Sequence, residues 1–131
     1  MKLCVDTNRI IAALVKDGTA RKILFDKTYS FITADYTLSE IDKHRAELQE
    51  KTKLTDDEFD IILTLLFENI EITPQSNYKK YINECTEMID QDDVPLLAAA
   101  LSCKADGIWT HDAHFDKQKK IKVFSNIDLL N

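Results

Sequence analysis

The stretch Asp90–Phe115, DQDDVPLLAAALSCKADGIWTHDAHF, decides the fold class. Three acids stand in front of an Ala- and Leu-rich segment, and a short apolar run, Gly107-Ile108-Trp109-Thr110, follows it. Pro is favoured in the first turn of a helix and Asp at its cap. A helix is therefore expected to start near Asp93 to Pro95 and run through Cys103, with Asp93 as its cap. The composition of Leu96–Cys103 suits a tightly packed interior helix. A strand over 107–110 completes a helix-to-strand step, with Trp109 in the core.

The same alternation extends in both directions. Lys2–Val5 predicts a strand, Ile10–Val15 and Thr19–Lys27 helices, and Ser30–Thr33 a second strand. One helix is expected over Asp35–Glu50. Thr55-Asp56-Asp57-Glu58 has the form of a capping box. Behind it Phe59, Ile62, Leu63, Leu66 and Phe67 form one apolar stripe at helical spacing. Ile61 and Leu65 lie off that stripe, so this second edge is expected to be buried deeply or to meet a partner. Ile70–Thr73 reads as a third strand closed by Pro74, Asn77–Ile89 as a helix, and Lys122–Phe124 as a fifth strand. Strands alternating with helices predict an α/β fold with a mainly parallel sheet.

With 131 residues, 44% hydrophobic and 31% charged, the chain is expected to form a single domain over 1–131 with a real core. Two Gly and two Pro are too few for a many-turned all-β fold. The net charge of −6 argues against a simple basic nucleic-acid binder, but suits acids that hold a divalent cation. Three cysteines, with no CxxC pair, read as free thiols rather than a disulfide framework or a zinc site. The apolar runs are too short to span a bilayer, and a strand begins at Leu3 where a signal peptide would need its apolar segment. The expected location is the cytoplasm.

In open α/β sheets, ligands bind beyond the carboxyl ends of the strands. Asp6 directly follows the first strand and Asp112 the fourth. Glu40 lies early on the helix after the second strand, and Asp93 at the start of the helix before the fourth. Each acid alone is as well explained by solvation or capping. Together they describe a cluster. Two carboxylates about 4 Å apart repel by roughly 4 kcal/mol at an effective dielectric of 20, so such a cluster takes up protons or a cation. A site of oxygen donors suits Mg²⁺ or Mn²⁺, which in turn suits phosphodiester hydrolysis.

CVDTNRIIAALVKDG at 4–18, SEI at 39–41, DQDDVPLLAAALSCKADGIWTHDAHF at 90–115 and the closing KVF resemble, in order over nearly the whole chain, the PIN domain family, which includes VapC-type toxins. The resemblance implies a three-layer sandwich with a central parallel sheet flanked by helices. It also implies a Mg²⁺- or Mn²⁺-dependent endoribonuclease, and for a toxin an antitoxin partner. Matched position by position, the family's four acids fall on Asp6, Glu40, Asp93 and Asp112, with Asp92 as the close alternative to Asp93. Asp116 stands where some members carry a further acid. On this reading Asp93 both caps its helix and binds metal, Asp92 holds a metal-bound water, and Asp90 ends the preceding helix and faces solvent.

Thr7 and Thr110 are placed to support ligand carboxylates, and Asn8, Arg9 and His111 to touch substrate or the metal shell. His114 reads as a surface or packing residue; with His111 it offers too few ligands for zinc. Lys117, Lys119, Lys120 and Lys122, and likewise Lys43, His44 and Arg45, read first as solvated faces and second as phosphate contacts. Self-association through the Ile61 and Leu65 edge predicts a homodimer. The competing function is a catalytically silent module of the same fold that binds RNA or protein. Measurable divalent-cation binding separates the two. A phosphoacceptor domain of the receiver type wants an acidic pair after the first strand. Asp6-Thr7-Asn8 has one acid there, and Asn8 cannot serve as the general acid of Asp-x-Asp phosphatase chemistry.

Overall fold

The computed structural model describes residues 1–130. The elements run β1 (Lys2–Val5), α1 (Thr7–Val15), α2 (Gly18–Leu24), β2 (Ser30–Ala34), α3 (Tyr36–Lys43), α4 (Arg45–Thr52) and α5 (Asp56–Phe67). They continue with β3 (Ile70–Thr73), α6 (Gln75–Tyr78), α7 (Ile82–Thr86), α8 (Val94–Ser102), β4 (Gly107–Trp109), β5 (Lys122–Phe124) and α9 (Asn126–Leu129). Short 3₁₀ turns cover Lys79–Tyr81, Gln91–Asp93 and Ala113–Lys117.

The five strands form one sheet in the order β3-β2-β1-β4-β5. All four pairings are parallel, among them Leu3↔Phe31 and Leu3↔Gly107. A parallel sheet is covered on both faces, which is why Leu3, Cys4 and Val5 are all fully buried. Side chains alternate between two cores. Leu3, Val5, Phe31 and Trp109 join α1, α2, α4 and α5 on one face. Cys4, Ile32, Ala34 and Ile108 join α7 and α8 on the other. The result is the expected three-layer α/β sandwich.

The Thr55 capping box forms with both of its bonds, Glu58 N to Thr55 Oγ1 at 3.2 Å and Thr55 N to Glu58 Oε1 at 2.9 Å. Phe59 and Leu66 are buried, and Ile62, Leu63 and Phe67 pack beside them. Ile61 and Leu65 stay exposed, at 59% and 46%. Trp109 is fully buried and donates its indole N–H to Asn126 Oδ1 at 2.9 Å. Cys4, Cys85 and Cys103 are free thiols.

Three local expectations are corrected. The helix expected over 35–50 breaks at His44, where the backbone turns to φ −100° and ψ 8°. Its two halves bury different residues, Thr37 and Ile41 before the break and Leu48 after it, so packing redirects the chain. The helix expected over 77–89 is α6, a 3₁₀ turn and α7 in sequence. Asp93 is not a side-chain cap: it is already helical in backbone, and its side chain makes no cap bond. The 3₁₀ turn ahead of α8 ties the Asp93 amide to the Asp90 carbonyl at 2.9 Å, which releases the Asp93 carboxylate for another use.

Candidate functional site

β1 lies between β2 and β4, so the chain order reverses beside it, and the crevice for a ligand opens at the carboxyl ends of β1 and β4. The Asp6 amide bonds to the Trp109 carbonyl at 3.0 Å and closes the strand pair there. Immediately beyond is a cavity of about 80 Å³ lined by Asp6, Glu40, Asp92, Asp93 and Asp112, with Thr7, Asn8, Tyr36 and Thr37. All four matched acids and the alternative Asp92 therefore meet in one place. Larger, shallower hollows exist elsewhere, including one of 740 Å³ along Ser76–Lys80, but they do not gather the acids.

Asp6 is only 8% exposed. Its Oδ2 accepts the Thr110 hydroxyl at 2.6 Å and its Oδ1 the Asn8 amide at 3.4 Å. Burial still holds its carboxyl above the usual range, against the lowering effect of the Thr110 bond. Thr110 is itself fixed, accepting the Asp112 amide at 2.9 Å, so one hydroxyl links the acids that follow β1 and β4. Asp93 is pushed up to about 6, first by burial and then by the charge of Asp112. Its Oδ2 is buried and faces His114 Nδ1 at 3.4 Å, a contact that lowers the pKa against those two effects.

Glu40 is held from below by hydroxyls. Thr7 Oγ1 donates to Glu40 Oε1 at 2.9 Å and lies 3.0 Å from Thr37 Oγ1. Thr37 lies 3.0 Å from Thr33 Oγ1, which donates to the Val5 carbonyl at 2.9 Å. These three threonines are buried. Three hydroxyl protons serve four contacts, so Thr37 shares its proton between Thr7 and Thr33 when Glu40 is ionised. Asp35, the other acid at the start of α3, serves the scaffold: it accepts the Gln75 amide at 3.0 Å and the Tyr78 hydroxyl at 2.6 Å.

Other expected site residues lie apart. Asp116 is exposed on the 3₁₀ turn after Asp112 and does not line the acid cavity. Arg9 turns toward Asp17 Oδ2 at 3.7 Å and Asn126 Oδ1 at 3.5 Å. His111 accepts the Asn126 amide at 3.0 Å through Nε2 and so supports the start of α9, while burial and the Arg9 charge lower its pKa. Arg45 bonds Asp60 at 2.7 Å and stacks 4.5 Å over the Phe59 ring, which makes it a scaffold residue.

Three participants escaped the reading of the sequence. Thr37 and Tyr36 enter because α3 turns its first two residues toward Asp93. The signal for Thr37 was its spacing three before Glu40, on the same helix face. His114 stands at the rim, with Nδ1 at 3.4 Å from Asp93 Oδ2, 3.4 Å from Asp112 Oδ1 and 3.7 Å from Asp90 Oδ2.

The family model described as PIN domain matches residues 4–122. The chain belongs to the PIN domain family. This PIN domain resembles solved structures of toxin–antitoxin type. One, VapBC2 from Rickettsia felis bound to a DNA fragment from their promoter, aligns with a TM-score of 0.76 at 17% identity, covering 95% of this chain and 98% of that one. Another, VapBC-1 from nontypeable Haemophilus influenzae, aligns with a TM-score of 0.67 at 18% identity, covering 97% and 99%. At these identities the likeness is one of fold. Comparison with curated proteins gives no significant match. Among the described residues no helix of this PIN domain is long and apolar enough to cross a membrane.

The donor set suits a divalent cation. Five carboxylates share a cavity of about 80 Å³, and burial holds Asp6 and Asp93 above the ordinary carboxyl range. A cation among them offsets both the crowding of charge and the cost of burial.

Proposed function

We propose that this PIN domain is a Mg²⁺- or Mn²⁺-dependent endoribonuclease that hydrolyses RNA phosphodiester bonds, acting as the toxin of a toxin–antitoxin pair. The observation that carries the reading is the single pocket that gathers Asp6, Glu40, Asp92, Asp93 and Asp112 at the carboxyl end of the sheet. Asp6, Asp93 and Asp112 would hold the ion, with Glu40 and Asp92 on the far side of the pocket. A divalent ion there supplies Lewis acidity toward a phosphoryl oxygen and makes water a better nucleophile.

The chain's own groups set the geometry for that chemistry. Thr110 orients Asp6 and, through its amide bond, Asp112. Thr7 and Thr37 orient Glu40, which is placed to accept a proton from an attacking water. The pocket is too acidic to attract RNA unaided, so phosphate binding depends on the ion's charge.

The likeness in fold to the solved VapBC structures supports an antitoxin as partner. An antitoxin that inserts a cationic side chain among Asp6, Asp93 and Asp112 would silence the site by replacing the ion's charge. The exposed Ile61 and Leu65 on α5 support self-association, read by sedimentation at rising concentration. The expected compartment is the cytoplasm. Incubation with a panel of labelled single-stranded RNAs tests the activity. Cleavage with Mn²⁺ or Mg²⁺ that stops with a chelator supports a nuclease. Divalent binding without cleavage of any RNA favours a silent binding module.

A further inference from the structure

We propose that the hollow on the far side of Tyr36 from the acid pocket is a base-binding subsite for single-stranded RNA, in which the Tyr36 ring stacks on the nucleobase next to the scissile phosphate. The subsite rests on the ribonuclease activity proposed above and adds how the substrate strand is held.

Tyr36 opens α3 and lines two cavities at once. One is the acid pocket, with Glu40, Asp92 and Asp93. The other is a hollow of about 280 Å³ between α3, α6, α7 and α8, whose walls include Ser39, Gln75, Ile82 and Pro95. The Tyr36 side chain is thus the partition between them, and 37% of the residue is exposed. Neighbouring positions divide in the same way: Glu40 and Leu96 line the acid pocket, Ser39 and Pro95 the hollow. The two spaces therefore lie side by side along α3 and the start of α8. Sites for drug-sized ligands run to roughly 300–1,000 Å³, so the hollow suits one flat ring system.

The chemistry of the hollow suits a neutral ring. Among the described residues that line it, Asp35 is the one carboxylate. It is already occupied by the Gln75 amide at 3.0 Å and the Tyr78 hydroxyl at 2.6 Å. Ile82 and Pro95 are half-buried and supply apolar wall. Ser39 and Gln75 are exposed and offer a hydroxyl and a carboxamide to the edge of a base. Stacking on an aromatic ring needs only a π-face, which every nucleobase has, so the subsite grips the strand without demanding a sequence.

The acid pocket has a second neighbour, on the β5 side. There it shares Asp112 with a hollow of about 400 Å³ that also carries Asp116 and Asp128. Three carboxylates repel the phosphates of a passing strand. The Tyr36 side has a single carboxylate, already bonded. Beyond it, α6 runs into Lys79 and Lys80, both exposed, whose charge can take the next phosphate. Charge therefore turns the strand toward β3 rather than β5.

Fluorescence anisotropy with a labelled single-stranded RNA of mixed sequence tests this, with Ca²⁺ as the divalent ion and the full chain as wild type, Tyr36→Leu and Tyr36→Phe. The expected result is about tenfold weaker binding by Tyr36→Leu and less than about twofold by Tyr36→Phe, which keeps the ring. An abasic strand of the same length and charge should bind wild type and Tyr36→Leu alike, which a damaged fold or metal site would not produce. Circular dichroism checks that both variants fold. Equal affinity of wild type and Tyr36→Leu for the intact RNA, or the same tenfold loss with the abasic strand, overturns the subsite and leaves the metal site and the nuclease standing. No binding of the intact RNA by the wild type overturns both.

Discussion

The Thr7 hydroxyl donates to Glu40 Oε1 at 2.9 Å, joining the first turn of α1 to the middle of α3 across the floor of the acid pocket. Thr7 is the residue after Asp6, so one dipeptide contributes a buried carboxylate and the support of another. Thr7→Val keeps the shape and removes the donor. It is expected to cost about 1 kcal/mol of stability and to lower metal affinity or cleavage about tenfold. Denaturant unfolding and a metal titration measure the two effects, and unchanged metal affinity would remove Thr7 from the site.

Asp93 makes the metal-free protein less stable as pH rises. Its folded pKa, about 6, lies above the ordinary value of 3.8, so the native state binds more protons between those values. Stability is therefore highest below about pH 4 for this group and is lost as pH rises through 6, by up to about 3 kcal/mol. The raised carboxyl of Asp6 acts in the same direction. Asp93→Asn is expected to flatten this part of the profile, and in wild type a divalent ion restores stability near neutrality. Unfolding in urea at several pH values, with chelator and then with Mn²⁺, reads both.

His111 is expected to act on the fold and not on the acid pocket. His111 supports the α9 amide of Asn126, so His111→Ala is expected to cost about 1 kcal/mol and leave metal affinity unchanged. Denaturant unfolding and a metal titration read the two, and weakened metal binding with unchanged stability would contradict that assignment.

Gly107 opens β4 beneath the Phe124 ring, and a Cβ there would run into the ring and approach the Lys122 carbonyl at 3.0 Å. Gly107→Ala is expected to destabilise by about 1–3 kcal/mol through overpacking between β4 and β5. Thermal unfolding gives the answer, and Phe124→Leu in the same background is expected to recover part of the loss.

The fold was legible because short apolar runs and helical stripes alternate along the chain, and each of the five strands falls where its run was. The acids were legible for a related reason: parallel strands all end on one side, so Asp6 after β1 and Asp112 after β4 lie on the same edge of the sheet, and the β1–β4 pairing makes them neighbours. The break at His44 was not legible, since neither Pro nor Gly marks it and the cause is where Leu48 packs. Nor was it legible that Asp93 makes no cap bond, because Asp two residues before Pro reads as a cap. Only the 3₁₀ turn from Gln91 moves that duty to the backbone. The place of His114 at the pocket rim depends on a turn whose direction local sequence does not encode.

The most direct measurement is metal-dependent cleavage of labelled single-stranded RNA by wild type and Asp93→Asn side by side, with Mn²⁺ or Mg²⁺ and a chelator control. Asp93 makes no cap bond, so the variant should fold as the wild type does. The account predicts cleavage by wild type that the chelator stops and the variant loses. Equal cleavage by both proteins would contradict it.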